Sequence, residues 1–214
     1  MKVGMLGSGD VGQALGIGFA GLGHQVKMGS RTPEKETVQA WLKRVGSNGS
    51  AGLFSEAAAF GDFAVLATRW DGTENALRLA GPQNLAGKVV IDVTNPLDYS
   101  KGMPPGLALG YDDSAGEQVQ RWLPRAQVVK ALNIVGSRFM VNPQFPGGPP
   151  DMFIGGNSPE AKALAADILR SFGWGVIDLG GIEAARYLEP LAMIWILAGM
   201  QLNSWDNAFK LLRA

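Results

Sequence analysis

Directly after Lys2-Val3-Gly4-Met5-Leu6 the chain reads Gly7-Ser8-Gly9-Asp10-Val11-Gly12, and this G-x-G-x-x-G cluster constrains the fold more than any other feature. The run before it is short, mostly apolar and closed by glycine, which predicts a fully buried parallel strand. From Val11 to Leu22 the larger apolar residues Val11, Leu15, Ile17, Phe19 and Leu22 stand among Ala and Gly, which predicts a helix. In a strand–turn–helix unit Gly7 makes the tight turn, Gly9 lets backbone approach a pyrophosphate, and Gly12 brings helix and strand close, while the helix N-terminus faces the anion. Thirty glycines in 214 residues make the cluster weak by itself. Its place between strand and helix gives it meaning.

The next apolar stretch, Gly23 to Arg31, predicts a second strand whose end lies roughly 20 residues past the cluster, where such folds choose between riboses. An acidic residue there would accept hydrogen bonds from a ribose 2′-hydroxyl, and none is present. Ser30 offers a hydroxyl, Arg31 a planar cationic fork and Lys35 a further charge. That set suits a 2′-phosphate, so NADP(H) is expected rather than NAD.

The chain continues as alternating strands and helices. Strands are predicted at 51–54, 62–68, 88–94, 127–132, 152–154 and 174–179, with Ser55 capping a brief helix, a helix at 75–79, and a helix capped by Ser158 with Pro159 at its first position. The stretch from Ser100 to Gly116 is rich in Gly and Pro and predicts a long loop over the carboxyl ends of the strands, where ligands bind in such sheets. The expected class is α/β: a Rossmann-type, doubly wound, mostly parallel sheet over residues 1–181, with a C-terminal helical extension over 182–214. Glu183 to Leu212 reads as helix, interrupted early by Pro190. Leu188, Leu191, Ile194, Trp195, Leu197 and Ala198 put apolar groups around much of its circumference, so it is expected to close the substrate cleft or to pair with a second subunit in a homodimer.

Composition removes several function classes. Nineteen basic and 19 acidic residues balance, so neither nucleic acid nor an anionic membrane is an expected partner. Without cysteine there is no disulfide and no thiolate for catalysis or metal binding, which is compatible with a cytoplasmic setting. No metal site is expected. The chain opens directly on a strand, so no export leader is expected. The longest apolar run, Leu191 to Met200, is too short to span a bilayer.

Taken in order, Gly7-Ser8-Gly9-Asp10-Val11-Gly12, Gly29-Ser30-Arg31, Thr68-Arg69-Trp70, Asp92-Val93-Thr94-Asn95-Pro96, Ser114-Ala115-Gly116-Glu117 and Val129-Lys130-Ala131-Leu132-Asn133 resemble the NADPH-dependent F420 reductase family over nearly the whole chain. Those enzymes pass a hydride between NADP and a deazaflavin coenzyme; similar domains also form the cytosolic flavin-using part of membrane metalloreductases, so FMN or FAD is the next acceptor to consider. The resemblance implies that Ser8, Gly9, Asp10 and Val11 meet the pyrophosphate, and that Ser30, Arg31 and Lys35 meet the 2′-phosphate. It further implies that Thr68, Arg69 and Trp70 lie along the nicotinamide half, and that Asn95, Pro96 and Asn133 line the hydride-transfer pocket. Arg69 departs from the small or apolar residue the family pattern leads one to expect, which leaves a charged or larger partner open.

No general acid–base machinery stands out. The single histidine, His24, begins the second strand, away from the carboxyl ends. Tyr99, Tyr111, Asp98, Asp112 and Asp113 fall in the long loop without the spacing of a dyad or triad. Hydride transfer between bound rings needs mainly that the reacting atoms lie about 3 to 3.5 Å apart, a positioning effect worth roughly 7 to 11 kcal/mol. A small-molecule hydride acceptor fits this absence. Reduction of a small carbonyl or imine, with Tyr99 or Tyr111 as proton donor, remains an alternative, as does a non-catalytic protein that senses NADP(H).

Overall fold

A computed structural model describes residues 1–212 of the chain. Eight strands form one sheet in the order β10-β9-β8-β5-β4-β1-β2-β3: β1 Lys2–Leu6, β2 Gln25–Gly29, β3 Gly49–Gly52, β4 Phe63–Leu66, β5 Val89–Asp92, β8 Gln127–Lys130, β9 Asp151–Gly156 and β10 Gly175–Asp178. A separate two-residue hairpin, β6 Leu97–Asp98 with β7 Gly106–Leu107, stands above the strand ends. Six neighbouring strands are parallel, and only the β8–β9 pair is antiparallel, so β9 and β10 run against the rest. The mostly parallel, doubly wound sheet is the expected one.

Side chains on a strand alternate between faces, and the core divides accordingly. Val3, Met5, Phe63, Val65, Ile91 and Val129 pack with helices α1 (Asp10–Gly21), α2 (Glu36–Val45) and α6 (Pro159–Ser171). On the other face Leu6, Ala64, Leu66, Val90 and Val128 pack with α3 (Phe54–Phe60), α4 (Trp70–Ala80) and α5 (Ala115–Trp122). Gly4 has a specific duty here, because a Cβ at that position would run into the Ala57 carbonyl oxygen of α3. Phe19 stands at the centre of the first face, edge-on to Phe63 at 5.6 Å and to Phe172 at 4.9 Å between ring centroids.

Several local expectations need correction. The third strand ends at Gly52, and Phe54 opens α3 instead of closing the strand. The N-cap of α3 is Leu53, not Ser55: Glu56 reaches back to accept the Leu53 N–H at 2.6 Å, as the third residue of a capping box does. Ser158 does cap α6, accepting the Ala161 N–H at 3.1 Å with Pro159 at the first helical position. The predicted loop at 100–116 contains β7 and the start of α5, with Pro104 and Pro105 falling between the two strands of the hairpin.

The C-terminal helix α7 spans Ala185–Leu202 and runs through Pro190 without interruption. Asn203, in the left-handed region at φ 46°, ends it, so the helix stops well short of residue 212. The remaining described chain turns back instead. Trp205 packs on Trp195 at 5.3 Å, the Asn207 carbonyl accepts the Trp195 indole N–H at 2.8 Å, and Leu211 N–H donates to Asp151 at 2.9 Å. Residues 213–214 of the predicted extension lie outside the described residues. Among the described residues no helix is long and apolar enough to cross a membrane.

Candidate functional site

The carboxyl ends of β1, β2, β4, β5 and β8 open onto two adjoining cavities. The larger, about 790 Å³, is floored by Gly7, Ser8 and Gly9 after β1, with Ser30 and Arg31 after β2 and Thr68 and Arg69 after β4 on its walls. Gly7 holds φ +133°, open to glycine but strained for other residues, and any Cβ there would strike the Ala67 carbonyl. Gly12 does not line the cavity; a Cβ on it would meet the Gly7 carbonyl oxygen, so it is the residue that lets α1 sit close behind β1. A Cβ at Gly9, by contrast, would meet nothing within 4 Å and would project into open space.

Two helix N-termini converge here. Gly9 caps α1 and Arg69 caps α4, and neither supplies a side-chain acceptor for a backbone N–H of the first turn; the Arg69 guanidinium instead donates to Asp71 Oδ2 at 3.1 Å. Uncapped N–H groups and the positive end of the helix dipole make such termini receptive to anions. At the far wall Arg31 and Lys35 add positive charge. Ser30 is buried; its hydroxyl accepts the Thr32 N–H at 3.2 Å, faces the Thr32 carbonyl at 3.3 Å and lies 3.3 Å from the Ser8 hydroxyl, tying the first two strand ends together. No acidic side chain stands beside Arg31 on this wall; the carboxylates that line the cavity, Asp10 and Asp71, belong to the first turns of α1 and α4.

The smaller cavity, about 250 Å³, adjoins it along the exit of β5: Val93 lines the first and Asn95 the second. Its walls are mostly apolar, with Leu97 and Tyr99 from the hairpin, Val135 after β8, Ala192 and Trp195 from α7, and Trp205 from the returning tail. At the junction the Arg69 guanidinium lies 5.8 Å from the Tyr99 ring centroid.

Asn95 and Asn133 form the polar floor. Asn95 Nδ2 donates to the Asn133 carbonyl at 2.7 Å, and Asn133 Nδ2 donates to Asn95 Oδ1 at 3.0 Å and to the Leu188 carbonyl at 2.9 Å. Because two backbone carbonyls demand N–H donors, both amide orientations are fixed. Among the described residues Asn133 Oδ1 is the one buried side-chain polar atom without a partner. Leu132, just before it, is buried at φ 59°, a strained conformation of the sort that clusters at functional sites.

Of the residues singled out in the sequence, Gly7, Ser8, Gly9, Asp10, Val11, Ser30, Arg31, Lys35, Thr68 and Arg69 line the larger cavity. Asn95 and Asn133 line the smaller. Trp70 lines neither, and its ring stacks on Trp122 of α5 at 5.5 Å. Pro96 is buried below, its carbonyl accepting the Ala108 N–H at 2.7 Å. Sequence reasoning missed the start of α4, where Asp71, Gly72 and, one turn on, Asn75 complete the larger cavity; of the walls of the smaller one it named Tyr99 and Trp195 but not Leu97, Val135, Ala192 or Trp205. A helix starting directly after β4 would have pointed to the former. His24 is at the opposite end of the sheet, its Nδ1 3.1 Å from the N-terminal amine, and burial first, then that positive charge, lowers its pKa.

A sequence profile of the family described as NADP oxidoreductase, coenzyme F420-dependent, matches residues 2–96. The solved structure of a candidate F420-dependent NADP-reductase from Arthrobacter sp. FB24 is 40% identical and superposes with a TM-score of 0.95, each chain covered in full. The chain belongs to the coenzyme F420-dependent NADP oxidoreductase family. It is an NADP-dependent oxidoreductase. Within the family, the F420-dependent NADP reductase of Methanothermobacter marburgensis is 29% identical over 209 residues, covering 92% of this chain and 91% of that one. The rat metalloreductase STEAP3 is 28% identical over 90% of this chain, but the match spans only 36% of that longer protein.

Proposed function

We propose that the chain transfers a hydride between NADP(H), held in the larger cavity, and the deazaflavin ring of coenzyme F420, held in the smaller one. The observation that carries the reading is the adjacency of the two cavities along one strand exit, the first built for phosphates and the second a mostly apolar slot. The residues fit the cofactor: Gly9 leaves room for a pyrophosphate, the α1 terminus offers free N–H groups, and Arg31 and Lys35 supply positive charge at the far wall. When bound, NADPH supplies a hydride from its nicotinamide ring.

The chain's own residues then have positioning work. Ser8 to Val11 orient the pyrophosphate, Ser30, Arg31 and Lys35 the 2′-phosphate, and Thr68 and Arg69 the nicotinamide end. Asn133 Oδ1, buried and unpartnered, is placed to accept an N–H from a ring edge or carboxamide after a small adjustment. Trp195 and Ile196 give the slot an apolar wall that keeps water from the reacting atoms. No side chain needs to move a proton. The segment 182–214, a cleft-closing extension of the 1–181 domain, supplies this wall.

A homodimer working in the cytoplasm belongs to the same proposal. Leu191 is half-buried against the core and Trp195 is covered by the chain's own tail, so the pairing surface is narrower than the sequence implied: Tyr187, Ile194 and Leu197, exposed along α7. Light scattering at micromolar concentration checks it. The catalytic reading is tested by following NADPH oxidation with oxidised F420, FMN, FAD and simple carbonyls in parallel. Turnover fastest with F420 is expected, and turnover of carbonyls with no flavin-like ring reduced would reject it.

A further inference from the structure

We propose that Lys130, Asp92 and Glu189 form a positioning device that fixes the width of the acceptor slot by clamping α7 onto the ends of β5 and β8. All three side chains are at most 1% exposed. Lys130 Nζ donates to Asp92 Oδ2 at 2.9 Å and to the Thr94 carbonyl at 2.6 Å, and lies 2.8 Å from Glu189 Oε1. The carboxylates are satisfied as well. Asp92 Oδ1 accepts the Thr94 N–H at 2.9 Å and its hydroxyl at 2.7 Å, while Glu189 accepts the Ala115 and Gly116 N–H groups at 2.9 and 3.0 Å, at the start of α5. One ammonium group therefore joins β5, the turn that presents Asn95, and α7.

Stability alone is a poor account of such a cluster. Each buried ion costs several kcal/mol of desolvation, and well-packed apolar groups of similar volume often stabilise as much or more. What apolar groups cannot supply is direction, since three N–H vectors at fixed angles allow one placement of three elements. Position along α7 shows what is being placed. Leu188 and Glu189 stand one turn before Ala192 and two before Trp195 and Ile196, so the clamped residues and the slot wall share a helix face. At the same level Asn133 ties its Nδ2 to the Leu188 carbonyl. Lys130 lies two residues before the strained Leu132 and three before Asn133, so the clamp also holds the backbone that carries the slot floor.

The kinetic arm of the test rests on the proposed acceptor; the exchange arm does not. The variant is Lys130→Met/Glu189→Gln, which keeps the cluster's net charge of −1 (one cation and two carboxylates become one carboxylate) and leaves an amide oxygen for one α5 N–H. On the full chain without ligands, amide hydrogen exchange in residues 94–95, 133–136, 186–189 and 191–196 is expected to quicken by about tenfold or more, with β1 to β4 unchanged. The KM for oxidised F420 is expected to rise by about tenfold while the NADPH Kd stays within about threefold. Exchange that is unchanged, or that quickens evenly across the sheet, overturns the inference, as does an unchanged KM beside altered exchange. If the wild type reduces no deazaflavin, the proposed function falls and the exchange arm still decides this one.

Discussion

Replacing Arg31 by alanine separates the two nicotinamide cofactors. Ser30 and Thr32 satisfy one another in a tight turn, with the Ser30 hydroxyl accepting the Thr32 N–H at 3.2 Å. Recognition of a 2′-phosphate therefore falls chiefly to Arg31 and Lys35. Two unit charges 4 Å apart interact by about 4 kcal/mol at an effective dielectric of ~20 and by about 1 kcal/mol in water. Arg31 is exposed on the cavity lip, which places its share toward the lower limit. About 1.4 to 2 kcal/mol corresponds to a loss of roughly tenfold to thirtyfold in NADPH affinity. NADH, lacking the phosphate, should lose no more than about threefold, and the gap should narrow in high salt as screening shortens the reach of both cations. Calorimetric titration of both cofactors into wild type and Arg31→Ala measures this. Equal wild-type affinities, or equal losses for both cofactors in the variant, would refute the reasoning.

Gly9→Ala should leave the melting temperature almost unchanged, since the new methyl meets no protein atom, yet weaken NADPH by about tenfold or more; Gly12→Ala should lower the melting temperature because its methyl meets the Gly7 carbonyl. Tyr99→Phe and Tyr111→Phe should each hold F420 reduction within about threefold, and a loss of about 100-fold from either would favour carbonyl or imine reduction with a tyrosine donor. The Arg186 fork above all, joined by the Ser114 hydroxyl and opposed by burial, holds Glu117 below its ordinary value of 4.5. A depressed carboxylate stabilises the fold above its unfolded pKa and loses that contribution as pH falls through the folded value. Thermal melts should thus show Arg186→Ala less stable than wild type at neutral pH, with the gap closing below about pH 4.5; a gap that persists into acid would contradict the assignment.

The parts legible in the sequence were those with local causes. β1 falls where the apolar run placed it, the glycine turn has the steric duties its spacing implied, and Ser158 with Pro159 starts α6. Elsewhere tertiary context overrode local signals. Phe54 looks like strand, yet its ring fills the α3 side of the core. The apolar run after residue 185 looks like one long helix, but the Trp195–Trp205 contact turns the tail back to build the slot. Trp70 resembles a cofactor residue by position and stacks on Trp122, some 50 residues away in sequence, a pairing no local pattern reveals. The Lys130 clamp was equally hidden, because its three charged residues are 38 and 59 positions apart and meet only when β5, β8 and α7 pack.

Stopped-flow mixing of NADPH-loaded protein with oxidised F420 tests the central claim most directly. The account predicts that the deazaflavin's visible absorbance bleaches in one phase, slowed by deuterium on one face of the nicotinamide C4 and not on the other. Bleaching that ignores deuterium on both faces, or no bleaching while the NADPH stays bound, would contradict it.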